Sequence, residues 1–184
     1  VSGTMTALDL DGTAMTLTIN QIGSSNIFRS DGINSDNVTG YFDFQGDSNV
    51  LDILLNSNGA YSADYANLNL QVSGGSNIFD IEIAEASNAD YLDLDWIIDG
   101  DNNEFEFDID YENATNYIDI FGDSNELTFS GSGYAGTTSS DSGYFYLDLD
   151  GSSNTFNITQ SSTLARDWLK ITTNGSNSTF CIVQ

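Results

Sequence analysis

Acidic side chains are the residues of this 184-residue chain with the most obvious capacity for chemistry. Asp and Glu number 28 against 3 Lys and Arg, and the chain contains neither histidine nor proline. So many carboxylates suggest two kinds of site. One is a paired acid and base that hydrolyses glycosides, and the other is a set of oxygen ligands for a hard cation such as Ca2+.

A calcium site is best matched by two short acidic segments near the start of the chain. The segment SDGINSD at residues 30–36 offers Asp31, Asn34 and Asp36 as oxygen ligands, and LDLDG at residues 8–12 is a second candidate. Neither has the spacing of an EF-hand loop, and the glycine-rich nonapeptide repeat of calcium β-rolls is absent. Two interpretations of the acids stay open, namely bound Ca2+ or a solvated acidic face that salt screens.

Catalysis is not indicated by the acids, because nearly all of them belong to a repeated pattern and no separated acid and base can be named. The absence of histidine also removes the commonest general base and metal ligand. We therefore predict a protein that is not an enzyme and that needs no cofactor, with Ca2+ as the one ion left open.

The pattern becomes visible when six glycines are aligned. Mostly apolar residues lie two and four positions before each glycine and five and seven positions after it, and asparagine follows three positions after five of the six. Consecutive glycines lie 22 to 29 residues apart. The turn residues are Gly46 and Asn49, Gly74 and Asn77, Gly100 and Asn103, Gly122 and Asn125, Gly151 and Asn154, and Gly175, after which Ser178 replaces asparagine.

These turn residues are interpreted as structural rather than as a row of ligands. Glycine supplies backbone freedom at a bend. Asparagine tolerates special backbone angles and bonds to nearby backbone, and identical asparagines stacked at ~4.8 Å form amide ladders. The row of asparagines is therefore expected to hold turns together.

The spacing of the apolar residues predicts two β-strands per repeat, because they alternate on each side of the turn instead of recurring every three or four residues. A hairpin would place asparagine before glycine, whereas the order in this chain suits a β-arch whose two strands face each other through side chains. One arch cannot bury its face alone, so arches must stack. We predict an all-β fold, a β-solenoid of about six to seven rungs of 22–29 residues forming one domain over residues 1–184. A meander or a sandwich is the alternative.

The first 40 residues form an irregular N-terminal rung that allows two alignments. In one, Gly12 is the turn glycine, and Leu17 and Ile19 belong to the strand after it. In the other, Gly23 is the turn glycine, Asn26 follows it, and Leu17 and Ile19 belong to the strand before it. Both cannot hold, because they place the same residues on opposite sides of a turn.

Strand alternation directs several acids outward, where they stack in consecutive rungs. Asp52, Asp80 and Glu106 form one such set, and two carboxylates ~4.8 Å apart repel by ~0.9 kcal/mol even at the permittivity of water. The net charge of −25 also repels nucleic acid and anionic membranes, and no apolar run reaches the ~20 residues of a membrane helix. We predict no nucleic-acid partner, no membrane insertion and a salty working medium.

The motif I-x-Q-x-G-x-x-N, present with shifted elements as INQIGSSN and FQGDSN, resembles the curlin repeat of curli functional amyloids. Curlin-like repeats are also similar to parts of virion structural proteins of marine bacteriophages, and the acidity and the TFCIVQ ending favour that comparison. The resemblance implies a self-assembling structure without a cofactor, located outside the cell, on the cell surface or on a virion. Bacterial matrix and phage virion both stay open.

Two functions follow from these expectations. The first is a structural subunit that joins copies of itself head to tail into a fibre, matrix filament or virion appendage. The second is an acidic adhesin that presents tyrosines to glycans or a host cell surface. The tyrosines proposed for that role are Tyr61, Tyr65, Tyr111, Tyr117, Tyr144 and Tyr146.

Overall fold

The structure is a computed structural model that describes residues 8–55, 65–83, 91–110, 113–132, 143–161 and 167–184. These residues form fifteen β-strands and no helix. The strands are β1 (Leu8–Gly12), β2 (Met15–Ile22), β3 (Ile27–Ser35), β4 (Asn37–Gln45), β5 (Val50–Leu55), β6 (Tyr65–Ser73), β7 (Ile78–Ile83), β8 (Tyr91–Asp99), β9 (Glu104–Asp110), β10 (Ala114–Phe121), β11 (Glu126–Ser132), β12 (Gly143–Asp150), β13 (Thr155–Ser161), β14 (Asp167–Asn174) and β15 (Thr179–Val183).

The strands alternate between two parallel sheets. The odd-numbered strands form an eight-stranded sheet in the order β1-β3-β5-β7-β9-β11-β13-β15, and the even-numbered strands β2 to β14 form a seven-stranded sheet. Strands joined by a turn therefore lie in different sheets and face each other through side chains, as in a β-arch. The predicted β-solenoid of stacked two-strand arches is confirmed, and the hairpin meander is wrong.

Period-two burial explains why these segments are strands. In β8 (YLDLDWIID), every second residue is buried and every other residue is exposed. The buried set of each strand points between the two sheets, and the exposed set faces water. Since a shift of one residue would move every apolar side chain to the wrong face, the alternation also fixes the register.

The core is a continuous apolar layer between the sheets. Phe79 stacks on Phe105 of the next rung with ring centroids 5.0 Å apart, and Trp96 contacts Phe107 across the two sheets at 4.0 Å. All four rings are fully buried. Full burial of such a side chain contributes roughly 1.5–3 kcal/mol, so each rung gains several such contributions when its neighbours cover it.

The first complete rung resolves the ambiguity at the N-terminus. Ile19 pairs with Phe42 and Gln21 with Phe44, which makes Gly23 the turn glycine between β2 and β3. Gly12 ends β1, a strand that pairs with β3 in the other sheet. The second alignment is therefore correct and the first is wrong. The first rung is still irregular, because the pairing register of β3 shifts both with β1 and with β5.

The turn glycines pass so close to each other that no side chain fits. Gly46 has φ of 122°, and a Cβ added to it would lie 2.5 Å from the carbonyl oxygen of Gly23 in the rung before. The left-handed angles expected of asparagine lie instead on the residue before it. Those residues, with φ between 57° and 61°, are Ser25, Ser48, Ser76, Asn102, Ser124, Ser153 and Asn177.

The turn asparagines form a polar chain of hydrogen bonds along the stack. The backbone N–H of Asn77 donates to Oδ1 of Asn103 at 2.9 Å, and the N–H of Asn103 donates to Oδ1 of Asn125 at 2.9 Å. The chain starts with Asn26, whose N–H donates to Asn49, and ends where the N–H of Asn154 donates to Oγ of Ser178. The asparagine side chains thus satisfy backbone donors that the buried turns would otherwise leave unpaired.

We expect Asn103→Ala to destabilise the fold by about 2–3 kcal/mol, because it leaves the buried N–H of Asn77 without an acceptor. The matched control is Asn26→Ala, since no described residue donates to Oδ1 of Asn26 and its loss should cost less than about 1 kcal/mol. Urea unfolding followed by circular dichroism measures both. Equal losses of unfolding free energy in the two variants would contradict a stabilising role for the hydrogen bond between rungs.

Candidate binding faces

The outer face of the seven-stranded sheet, called the tyrosine face, carries paired aromatic rings. Tyr65 and Tyr91 occupy the same register position on neighbouring strands, with centroids 5.1 Å apart and planes 9° apart. Tyr117 and Tyr146 stack in the same way at 4.7 Å. Of the tyrosines that the sequence proposes for binding, Tyr61 and Tyr111 lie outside the described residues.

A groove of about 590 Å3 crosses this face between β4 and β10. Its aromatic lining comes from Tyr65, Tyr91 and Tyr117, each about half exposed. Asn67 and Asp93 line it as well, and Nδ2 of Asn67 donates to Oδ2 of Asp93 at 3.2 Å. The groove therefore offers aromatic surface beside one oriented carboxylate.

A second groove, of about 250 Å3, contains a cation of the chain itself. The ammonium group of Lys170 lies 5.9 Å from the ring centroid of Tyr146, within range of a cation–π contact. Asp119 and Asp148 line the same groove. Lys170 is the one Lys or Arg of this face among the described residues, and Arg29 lies on the other sheet.

The outer face of the eight-stranded sheet carries the predicted column of acids. Asp52 pairs in register with Asp80, and Asp80 with Glu106. At the N-terminal end of the column, Nε of Arg29 lies 3.5 Å from Oδ2 of Asp52. Thr128, Asn157 and Cys181 continue the column without charge, so the repulsion is confined to its first half.

Two stacked carboxyls have raised pKa values. Partial burial, with the charges of Asp52 and Glu106, raises the pKa of Asp80. On the tyrosine face, partial burial, with the charges of Asp148 and Asp95, raises the pKa of Asp119. In the folded protein both groups therefore hold a proton to higher pH than in the unfolded chain.

The acids in the turns have a role that the sequence does not reveal. Oδ1 of Asp47 accepts the backbone N–H of Gly75 at 2.9 Å, and Oδ1 of Asp101 accepts that of Asp123 at 2.7 Å. Asp123 repeats the arrangement with the N–H of Ser152 at 2.6 Å. These carboxylates accept hydrogen bonds from the backbone of the next rung. In the sequence, the only feature that indicates this role is the Asp that directly follows the glycine in these turns.

The calcium candidates lie on two strands that the fold brings together, since β1 pairs with β3. Nδ2 of Asn34 donates to Oδ1 of Asp11 at 3.0 Å, which links the two acidic segments, and Asn34 is buried. Asp36 is half-buried, and the side chain of Asp31 lies outside the described part of the structure. Among the described residues, no three His, Cys, Asp or Glu side chains are grouped to hold a metal ion. The Ca2+ site stays a prediction.

No family model, curated protein or solved structure matches this chain. The resemblance to curlin repeats therefore rests on the motif alone. The described residues contain no helix long and apolar enough to cross a membrane. The absence of enzymatic activity and the expected partners also stay predictions.

We expect Asp80→Asn to stabilise the fold at pH 7 by about 0.5–1 kcal/mol, because it removes like-charge contacts with both neighbours in the column. Proton binding to Asp80 favours the folded state, so stability falls as pH rises through its raised pKa and recovers as pH falls through it. The variant should weaken that dependence. Thermal melts at several pH values above the sequence pI of about 4.1 measure both effects.

Asp99→Asn is the matched control for this prediction. It removes the same charge, but the register partners of Asp99 are Ser73 and Phe121, neither of which is acidic. Its stability should change by less than about 0.5 kcal/mol. A gain equal to that of Asp80→Asn would attribute the effect to net charge and not to the column.

The calcium interpretation predicts that Ca2+ at about 100 times its Kd raises the free energy of unfolding by about 2.7 kcal/mol. Asp36→Asn should abolish that gain, because it removes a charged ligand of the proposed site. Melting curves with Ca2+ and with chelator, at constant ionic strength and with Mg2+ as the control, measure it. Identical melting curves with Ca2+ and with chelator would contradict the calcium site and favour a solvated acidic face that salt screens.

Proposed function

We propose that the protein is a structural subunit that stacks on copies of itself, end to end, along the solenoid axis. The observation that carries the proposal is the partial exposure of the apolar residues in the first and last described rungs. Leu17, Ile19 and Phe28 near one end, and Leu169, Ile171 and Phe180 at the other, are only half-buried. Their counterparts in the interior rungs, such as Leu70 and Phe79, are buried.

Another rung would complete these layers. Covering a half-exposed Leu, Ile or Phe side chain contributes about 1 kcal/mol, so a matching layer at either end gains several kcal/mol before association entropy is subtracted. The two ends are matched in kind, because Ile19 and Ile171 occupy the same position relative to the turn glycine, as do Phe28 and Phe180.

Strand edges that no described residue covers supply hydrogen bonds for the same contact. The edge strands are β1 and β15 in one sheet and β2 and β14 in the other, and β1 makes the N-terminal end stepped. The N–H of Thr179 donates inward to Asn154, so the alternate residues Phe180 and Ile182 direct theirs to the open edge. The edge strand of an incoming copy would accept these bonds by β-augmentation.

The direction of stacking follows from the asparagine chain. At the N-terminal end, Oδ1 of Asn26 receives no donor from the described residues, and at the C-terminal end the backbone N–H of Ser178 has no described acceptor. One end therefore presents acceptors at this position and the other presents a donor. That difference favours head-to-tail contacts, which propagate, over tail-to-tail contacts, which close.

Acidic outer faces restrict growth to this axis. Both faces carry stacked carboxylates, Asp119 and Asp148 being the pair on the tyrosine face, and the net charge is −25, so lateral contact between subunits brings like charges together. The same charge opposes end-to-end contact at low salt, where the Debye length is long. Assembly should therefore need salt, in keeping with the salty medium expected from the composition.

We expect the protein to form filaments in 1 M NaCl and to dissociate as the salt falls to about 0.01 M, where the Debye length grows roughly tenfold. Ile182→Pro should abolish the filaments at every salt concentration, because it removes an N–H that faces the open edge. Ile182→Ala, which shortens the same side chain but keeps the N–H, should still assemble. Sedimentation velocity and negative-stain microscopy measure these outcomes.

A strictly monomeric wild-type protein at high concentration and high salt would contradict this function. So would filaments of Ile182→Pro that match the wild type in length and number. The location of such a filament, whether extracellular matrix, cell surface or virion, is supported only by the resemblance to curlin repeats. The adhesin alternative is favoured by one observation, the groove on the tyrosine face.

A further inference from the structure

The groove of about 590 Å3 on the tyrosine face places a carboxylate between aromatic rings. On the outer face, side chains at equivalent positions of neighbouring strands form columns. The column that contains Asp93 lies between the column of Tyr91 and the column of Tyr117. The amide of Asn67 donates to Asp93 and thereby fixes the position of the carboxylate. Aromatic faces beside a carboxylate are the environment that attracts an organic ammonium group, through the ring quadrupole and the charge together.

Lys170 shows the same contact within the chain. Its ammonium lies 5.9 Å from the centroid of Tyr146, in a groove that Asp119 and Asp148 also line. That groove and the larger one share Tyr117. In the larger groove Tyr65, Tyr91 and Asp93 are available, but no described Lys or Arg lines it. The larger groove therefore has the aromatic rings and the carboxylate of this contact without a cation from the chain itself.

Charge selects among the ligands that an aromatic groove could take. With a net charge of −25, the protein repels nucleic acids and acidic polysaccharides and concentrates cations at its surface. A neutral sugar gains nothing from that field. An ammonium group is the ligand whose charge complements the groove.

The ligand must carry several such groups. A single exposed cation–π contact changes a binding constant only about two- to fivefold, too little for measurable binding by a lone amine. The groove crosses four strands, from β4 to β10, which at ~4.8 Å per strand offers room for several contacts at once. Linked ammonium groups would then bind with the gain expected of multivalent ligands.

We propose that this groove binds an extended polypeptide segment rich in lysine, with ammonium groups over Tyr65, Tyr91 and Tyr117 and beside Asp93. The groove lies on the flank of the solenoid, so binding does not require the stacking proposed above. It would give an acidic filament a flank that recognises basic, flexible segments of another protein.

The test is fluorescence anisotropy of a labelled ten-residue peptide of alternating lysine and glycine, at 0.15 M salt. Replacement of both Tyr65 and Tyr91 by leucine should weaken binding about 5- to 25-fold, the product of two cation–π contacts. Replacement of both by phenylalanine, which keeps the ring faces, should change it less than about threefold. Circular dichroism and melting curves establish that each variant is folded.

Two further comparisons separate the groove from general electrostatics. Asp93→Asn should weaken binding about two- to fivefold, whereas Asp80→Asn, with the same charge change on the opposite face, should have almost no effect, because the two sheets are ~10 Å apart and the Debye length is ~8 Å. A trimethyllysine peptide should bind at least as tightly as the lysine peptide, and an acetyllysine peptide should not bind.

Equal losses for Asp93→Asn and Asp80→Asn, or unchanged binding after both tyrosines become leucine, would overturn the proposal. So would binding of the acetyllysine peptide. A neutral glucose hexasaccharide serves as the competing probe. If it binds more tightly than the lysine peptide and depends on the same tyrosines, the groove is a glycan site and the proposal is wrong.

Discussion

The close stacking of turns at one edge of the solenoid is the constraint on which the rest of the structure depends. A glycine without a side chain lets each turn approach the one before it, and an asparagine three residues later bridges the backbone of adjacent rungs. Because the bridge joins equivalent positions, it sets every rung in the same register. Once the register is fixed, the period-two pattern of each strand aligns apolar residues into columns between the sheets. The core therefore follows from the turn.

The same constraint explains why the acids are tolerated. Register alignment forces identical side chains to stack, which places Asp52, Asp80 and Glu106 in one column. The repulsion between neighbours is ~0.9 kcal/mol at the permittivity of water and less in salt. Each buried aromatic or aliphatic side chain of the rung contributes roughly 1.5–3 kcal/mol. The core outweighs the columns, although partial burial and the repulsion that remains raise the pKa values of Asp80 and Asp119.

Much of this architecture could be predicted from the sequence, because the repeat encodes it locally. The spacing around the glycines gives the strands, the inward columns and the row of asparagines, and the observed register reproduces all of them from Phe42 onward. The N-terminal rung could not be predicted, since Leu17 and Ile19 fit either the strand after Gly12 or the strand before Gly23. The strand pairing Ile19 with Phe42 was needed to choose between them.

The candidate sites were predictable only in part, for a physical reason. Whether two tyrosines stack depends on register across a connector of variable length, and that is not a local property of the sequence. Tyr65 and Tyr91 meet although 26 residues separate them, whereas Tyr117 and Tyr146 meet across 29. The bonds of Asp47 and Asp101 to the next rung could not be predicted either, because a side chain that bonds to the next rung has no sequence signal within its own rung.

The two edges of the solenoid differ in how much change they can absorb. At the turn edge the number of residues from glycine to asparagine is constant, whereas at the other edge the chain between strands is as long as residues 133–142 or as short as residue 36 alone. Insertions can therefore accumulate at one edge without altering the spacing of the rungs. In evolutionary terms, the turn edge is constrained and the connector edge is free to vary. Each rung could therefore acquire its own inserted segment while the length of the stack stays the same.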